Sequence, residues 1–337
     1  MEDLERGWMT TLRIDVIGGG SIGLLYAARL AISGASVTVW TRTHEQSDII
    51  NREGIRFMKD NGSAEEVIAV SSEWLTSERI SSLQQLSSNW IILAVKQTDI
   101  TEQLLQLIHM MSFRLEEGSA IVCLQNGIGH IEKLTTLDLK IPVYAAVTTE
   151  GAKREDKRTV RHTGIGQVWI SEEAENDRNR EQIDVISQKM FIDYLKKAGF
   201  DVFLSNEINK RVFQKLLINA VINPLTSIFD STNGELPKHI KRLDIMKALF
   251  DETVIVLQAT GMDVPEDSWE RLLDVCQKTS SNISSMLGDV RAGRHTEIDA
   301  INGAIVRLAE QHQLKAPMNE SVIAMIKSYK LDHNNKE

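Results

Sequence analysis

Leu12 to Gly34 reads LRIDVIGGGSIGLLYAARLAISG, and this stretch restricts the fold most. A short apolar run meets three glycines and passes at once into a helix-forming segment closed by Gly34. A strand that turns so tightly into a helix is the opening of a βαβ unit. The pattern then recurs. SVTVW, NWIILAV, SAIVCLQ, PVYAAVTT, GQVWIS and FDVFLS are expected strands, with helical or irregular segments between them. Short apolar strands alternating with helices predict a mainly parallel sheet covered on both faces. Gln182 to Ala198 is an expected amphipathic helix closed by Gly199, and the charged EEAENDRNREQ before it an expected surface loop.

After Ser205 the strand signal stops. Helices are expected over 207–229, 238–260, 265–278, 280–291, 295–313 and 318–330, punctuated by Gly261, Pro265, Gly293 and Pro317. The expectation is an α/β chain of two domains, residues 10–205 and 206–332, the second all-helical. A chain of 337 residues is long enough for both to bury a core.

Composition removes several function classes. The net charge of −9 argues against a broad attraction to nucleic acid or to anionic membranes. No run of 18 apolar residues is present, so no membrane span is expected. Cys123 and Cys276 form no metal-type cluster and read as buried free thiols, and no metal is expected. The N-terminal MEDLERGWM is acidic and lacks the apolar core of a signal peptide, so a cytoplasmic protein is expected, with Met9 an alternative start to Met1.

Gly18, Gly19, Gly20, Ser21, Ile22 and Gly23 satisfy GxGxxG in the required context, after a strand and at the start of a helix. Gly18 makes the tight turn, Gly20 lets a pyrophosphate approach the backbone, and Gly23 lets helix and strand pack closely. The helix N-terminus offers N–H groups to the phosphates. The first domain is therefore expected to be a Rossmann-type dinucleotide-binding domain. The second strand ends Trp40-Thr41-Arg42, with no carboxylate directly after it. An arginine there suits a 2′-phosphate, so NADP(H) is favoured over NAD(H). Lys96 and Asn126-Gly127 follow two further strands, where open α/β sheets bind ligands.

KLLINAVINPLTSIF, Lys215 to Phe229, raises a different question. Lys215, Asn219 and Asn223 fall four residues apart on an otherwise apolar helix and so form one slanting stripe roughly 12 Å long. Burying an ammonium and two amides unpartnered costs several kcal/mol, so polar groups must face them. Either a hydrogen-bond network between helices or a small anionic or carbonyl-containing ligand answers that need. Pro224 follows directly and frees a backbone carbonyl of the preceding turn. Asn282, Ser285 and Asp289 are expected on one helical face, and Glu297 near the start of another helix. Asn233-Gly234 reads as a turn.

Together GGGSIG, the lysine of AVKQTD, CLQNGIG, TTEGA followed by HTGIG, KLLINAVINPLTSI with NGEL, and SSMLGDVRAGRHTEIDAINGAIV resemble the ketopantoate reductase (2-dehydropantoate 2-reductase) family, from about Leu12 to about Lys330. The resemblance implies reduction of 2-dehydropantoate to (R)-pantoate, on the way to pantothenate and coenzyme A, with NADPH, in a cleft between a Rossmann domain and a helical domain. By the same resemblance Lys215 is the general acid and Glu297 the acid beside cofactor and substrate. Asn219, Asn223, Asn233, Asn282 and Ser285 match substrate-binding positions, and Gly18 to Gly23, Arg42, Lys96, Asn126 and Ala152 match cofactor-contacting ones. The chain departs from the pattern at Gln97-Thr98-Asp99, where many members have an aromatic residue and then a glutamine. The helical domain is compatible with a homodimer. Alternatives are a related NADPH-dependent reductase of another 2-keto acid, and a non-catalytic NADP(H) sensor that binds a partner protein.

Overall fold

The computed structural model describes residues 11–59, 65–83, 86, 89–176 and 181–334. Met9 and residues 177–180 of the charged segment, on which two of the expectations fall, lie outside the described residues. The chain divides into two compact units. The first runs through Gln125 and from His130 to Ile208, and the second joins Asn126–Gly129 to the chain from Asn209 on.

The first unit holds β1 (Arg13–Ile17), β2 (Ser36–Thr41), β3 (Ile55–Lys59), β4 (Glu66–Ile68), β5 (Ser71–Trp74), β6 (Trp90–Leu93), β7 (Ala120–Cys123), β8 (Val143–Thr148), β9 (Gly151–Arg154), β10 (Thr159–Gly164), β11 (Gln167–Ser171) and β12 (Asp201–Ser205). Eight of them form one sheet in the order β12-β11-β8-β7-β6-β1-β2-β5, parallel throughout except where β11 meets β8. Its central strands are apolar on both faces because helices cover both. Trp90 of β6 is fully buried, stacked on Tyr144 and Phe191, and donates its ring N–H to Ser187 Oγ at 2.9 Å. The chain leaves β1 for β2 on one side and later returns to β6 on the other. In open α/β sheets ligands bind at such a reversal, which here falls at the carboxyl ends of β1 and β6.

The expected strands of the large sheet are present. β5 at its edge and a second sheet in the order β4-β3-β10-β9 were not expected from the sequence. IRFMK, GAKR and TVRHTG carry charges and leave most of their positions half-buried or exposed, so they lack the apolar run that marks a central strand. This small sheet lies against the helix Ser21–Ile32 that follows the glycine loop.

The second unit is helical: Ile208–Ile228, Ile240–Ala259, Ser268–Lys278, Ser285–Arg291, Ile298–Gln311 and Pro317–Asn334. Its core gathers Leu216, Leu217, Val221, Leu249, Leu257 and Ile305, all nearly inaccessible to solvent. The helix expected over 280–291 starts only at Ser285, so Asn282, Ser285 and Asp289 do not share one helical face. The backbone before it is used otherwise. Asn233 N–H donates to Asn282 O at 2.9 Å and Gly234 N–H to Ser280 O at 3.2 Å. Ser284 then caps the helix by accepting from Leu287 N–H at 3.0 Å, and its hydroxyl bonds that of Thr226. Among the described residues no helix is long and apolar enough to cross a membrane.

Pro224 sits inside the Ile208–Ile228 helix and has no N–H for the carbonyl of Ala220, one turn back. Asn302 supplies the missing donor, its Nδ2 lying 2.8 Å from Ala220 O. The same amide reaches Asn319 Oδ1 at 2.9 Å, and Asn319 is held in turn by Glu252. Asn302 and Asn319 are wholly buried. Asn302→Ala therefore orphans a buried carbonyl and an amide oxygen and should cost about 3 kcal/mol in urea unfolding. Adding Pro224→Ala returns an N–H to the helix, so the same change should cost about 1 kcal/mol less in that background. Equal costs in both backgrounds would show that Asn302 does not repair the proline gap.

Candidate active site

The glycine loop is built where β1 ends. Gly18 N–H donates to Trp40 O at 2.9 Å, which ties the turn to β2. Gly20 caps the Ser21–Ile32 helix without a side-chain bond, and a Cβ added to it would meet nothing within 4 Å. A Cβ on Gly23 would lie 1.9 Å from Gly18 O. The open face at Gly20 and the closure at Gly23 are what a phosphate-binding turn needs, so these residues fit a dinucleotide's diphosphate. Gln46 braces the loop from below, its Nε2 donating to Gly19 O and to Lys157 O, each at 2.8 Å.

Arg42 follows β2 and its guanidinium is largely exposed. No carboxylate stands directly after the strand, but the fold brings one in: Asp99 Oδ1 accepts from Arg42 Nη1 at 3.4 Å. The partner belongs to the Gln97-Thr98-Asp99 turn, the segment that departs from the family pattern. Such an exposed pair is weak. Trp74 fixes the backbone there, donating its ring N–H to Arg42 O at 3.2 Å. Lys96 precedes the same turn and accepts from Asp99 N–H through its carbonyl. In that turn, Gln97 Nε2 lies 3.0 Å from Nδ1 of His130, whose acidity burial shifts to a pKa of about 4, leaving a neutral ring to accept the bond. Ala152 lies on β9, paired in register with His162 of β10.

The second unit brings Lys215, Glu297 and Asn126 together. Asn126–Gly129 belongs to this unit. Gly127 has φ +81°, and a Cβ there would lie 2.3 Å from Ala300 O, so glycine alone lets this segment reach the start of the Ile298–Gln311 helix. Glu297 caps that helix and is 9% exposed. Its Oε2 accepts from Asn126 Nδ2 at 3.1 Å. Lys215 keeps part of its side chain accessible, yet desolvation pushes its pKa down to about 8, while the Glu297 carboxylate pulls it back up. Lys215, Glu297 and Asn126 are thus one electrostatic group, drawn from three distant parts of the sequence. Such a lysine is charged at neutral pH but gives up its proton far more readily than a surface lysine.

Asn219 and Asn223 follow Lys215 on the same helix, Asn223 buried and Asn219 half-buried. Among the described residues neither side chain makes a hydrogen bond. Asn233 is engaged: Nδ2 donates to Thr279 Oγ1 at 2.9 Å, while Oδ1 is buried and unpartnered. Ser285 and Asn282 are exposed, and Asn282 precedes the helix. Gln46 and Asn302 escaped the sequence reading because their partners are backbone carbonyls, which carry no residue code. Among the described residues no cluster of metal-ligating side chains is present.

Residues 14–175 match the family model described as ketopantoate reductase PanE/ApbA, and residues 207–330 its C-terminal counterpart. The chain is 33% identical over 323 residues to the 2-dehydropantoate 2-reductase of Bacillus subtilis (strain 168), covering 96% of this chain and 99% of that one. It is 30% identical over 317 residues to the 2-dehydropantoate 2-reductase of Shigella flexneri, covering 94% of each. The crystal structure of the probable 2-dehydropantoate 2-reductase from Bacillus subtilis superposes with a TM-score of 0.74 at 32% identity, over 94% of this chain and all of that one. A ternary structure of D-mandelate dehydrogenase with NADH and anilino(oxo)acetate gives 0.82 at 21% identity, over 96% and 99%, a likeness of fold.

Proposed function

Because the chain belongs to the ketopantoate reductase family, an oxidoreductase family that works with a nicotinamide dinucleotide, we propose that it reduces 2-dehydropantoate to pantoate with NADPH. The observation that carries this reading is the Lys215–Glu297–Asn126 group, a cation tuned to deliver a proton.

When bound, the reduced nicotinamide supplies a hydride to C2 of the keto acid. The glycine loop and Lys96 hold the dinucleotide and Arg42 its 2′-phosphate. As the C2 oxygen gains charge, the Lys215 ammonium stabilises it and then donates a proton, giving the hydroxyl. An alkoxide is far more basic than an amine of pKa about 8, so this transfer runs downhill. The neutral amine regains its proton from solvent. Glu297 keeps Lys215 charged before the reaction, and Asn126 keeps Glu297 aimed. Asn219, Asn223 and Ser285 bind the carboxylate and hydroxyl of the substrate, while Asn233 and Asn282, matched to substrate positions by the same resemblance, are joined through their backbones.

The test is NADPH oxidation followed at 340 nm with a panel of 2-keto acids. Ketopantoate should give a kcat/KM at least about tenfold above pyruvate, 2-ketoisovalerate and phenylglyoxylate. A better rate with another member of the panel would reassign the substrate. Binding of NADPH without turnover on any of them would mark a sensor.

Arg42→Ala should weaken NADPH binding by about tenfold to thirtyfold and leave NADH within twofold, as one charge-assisted phosphate pair is lost. Equal losses for both dinucleotides in fluorescence titration would remove the 2′-phosphate assignment.

A further inference from the structure

Arg42 has no carboxylate directly before or after it in the chain, yet the fold sets one beside its guanidinium. Asp99 stands 57 positions further on, in the short turn Gln97–Asp99 that follows β6. β1 lies between β2 and β6, and all three strands are parallel. The two connections therefore leave the sheet at the same carboxyl edge, one strand apart. Asp99 Oδ1 accepts there from Arg42 Nη1 at 3.4 Å. Among the described residues neither side chain has a second hydrogen-bond or ion-pair partner. The second carboxylate oxygen and the rest of the guanidinium fork remain open to a ligand.

The backbone fixes where the acid stands. Asp99 N–H donates to Lys96 O at 2.9 Å, Ile100 N–H to Gln97 O at 3.1 Å and Thr101 N–H to Asp99 O at 3.0 Å. Ile100 is buried. Thr101 caps the next helix, Glu102–Ser112, by accepting from Leu104 N–H at 3.3 Å. Across the gap, the Trp74 ring N–H holds Arg42 O. Both backbones are thus pinned, while the two charged tips meet in solvent.

We propose that Asp99 is a specificity-determining residue, one that narrows the preference for NADPH over NADH. The assignment rests on the reading of Arg42 as the holder of the 2′-phosphate, and adds the group that opposes it. An NAD-type site uses a carboxylate to accept from the ribose 2′-hydroxyl, and an NADP-type site uses an arginine for the 2′-phosphate. Here the two groups are in contact. A phosphate monoester carries about −1.5 to −2 charge at pH 7. With NADPH bound, two anions share one guanidinium, and their repulsion offsets part of the attraction to Arg42. NADH lacks that charge and offers a hydroxyl from which Asp99 can accept. The exposed pair is too weak to hold Arg42 away from a phosphate, so the nearby negative charge itself sets the effect.

The experiment measures dissociation constants for NADPH and NADH by fluorescence titration, at about 0.05 M and about 0.5 M NaCl. Asp99→Asn removes the charge and keeps an acceptor. At low salt it should bind NADPH about threefold to tenfold more tightly and NADH within about twofold of wild type. Asp99→Ala removes the acceptor as well, so NADPH should gain by the same factor while NADH loses about threefold. At high salt the NADPH gain should shrink below about twofold, because screening weakens the repulsion that the variant relieves. A ratio of the two constants within about twofold of wild type in Asp99→Asn at low salt, or an equal loss for both dinucleotides, would overturn the assignment and leave Asp99 a turn residue. Wild-type protein that bound neither dinucleotide would instead refute the cofactor reading beneath it.

Discussion

Lys215→Ala should lower kcat for 2-keto acid reduction by about 1,000-fold while the dissociation constant for NADPH stays within about threefold. General acid catalysis contributes roughly 100- to 10,000-fold, and removing a donor to a developing oxyanion costs a similar amount. Lys215 supplies both in this reading. The pH dependence gives a second check. The acid must be protonated to act, and its pKa is lowered to about 8, first by desolvation and against the pull of Glu297. Activity in the reducing direction should therefore hold below pH 8 and fall as pH rises through it. Glu297→Gln removes the carboxylate that raises this pKa, so the falling limb should move to lower pH. A limb that stays fixed in Glu297→Gln, or a Lys215→Ala enzyme with near wild-type kcat, would end the assignment of the proton donor.

The parts of this arrangement that one residue type can announce were legible in the sequence. A glycine triplet between an apolar run and a helix marks the loop because few other contexts need glycine at those positions. The stripe of Lys215, Asn219 and Asn223 stands out because polar groups on an apolar helix carry a desolvation cost. What the sequence hid are partnerships across distance. Asp99 reaches Arg42 over 57 positions, Asn126 meets Glu297 over 171, and Arg154 meets Gly19 over 135. None has a local pattern, since each depends on the register of a sheet or the approach of a loop. The second sheet was missed for a related reason. A strand such as GAKR is stabilised by its neighbours and by the helix beneath it rather than by an apolar run of its own. The helix expected over 280–291 failed where its first residues bond the Asn233 turn instead of each other, a choice that periodicity does not record.

Gly23→Ala should abolish measurable dinucleotide binding, raising the dissociation constant by about 100-fold or more, and should also destabilise the first unit by about 2 kcal/mol. The added methyl would lie 1.9 Å from Gly18 O and 3.4 Å from Ala94 Cβ. A backbone carbonyl cannot swing aside like a flexible side chain, and Gly18 is itself tied to Trp40 O. Either the helix backs away from the strand or the loop rises, by roughly 1 Å or more, and such overpacking costs about 1–3 kcal/mol. The loop N–H groups offered to a diphosphate move with it. Gly20→Ala is the discriminating control. Its backbone, φ −84° and ψ −171°, suits alanine, and the new methyl meets no protein atom within 4 Å. That variant should melt within about 2 °C of the wild type yet bind NADPH at least tenfold more weakly, because the methyl occupies the space through which the diphosphate approaches the backbone. Stability and binding would then separate at two glycines three residues apart, one closing the turn from inside and one keeping it open from outside. Wild-type affinity in Gly20→Ala would place the diphosphate elsewhere than over this loop.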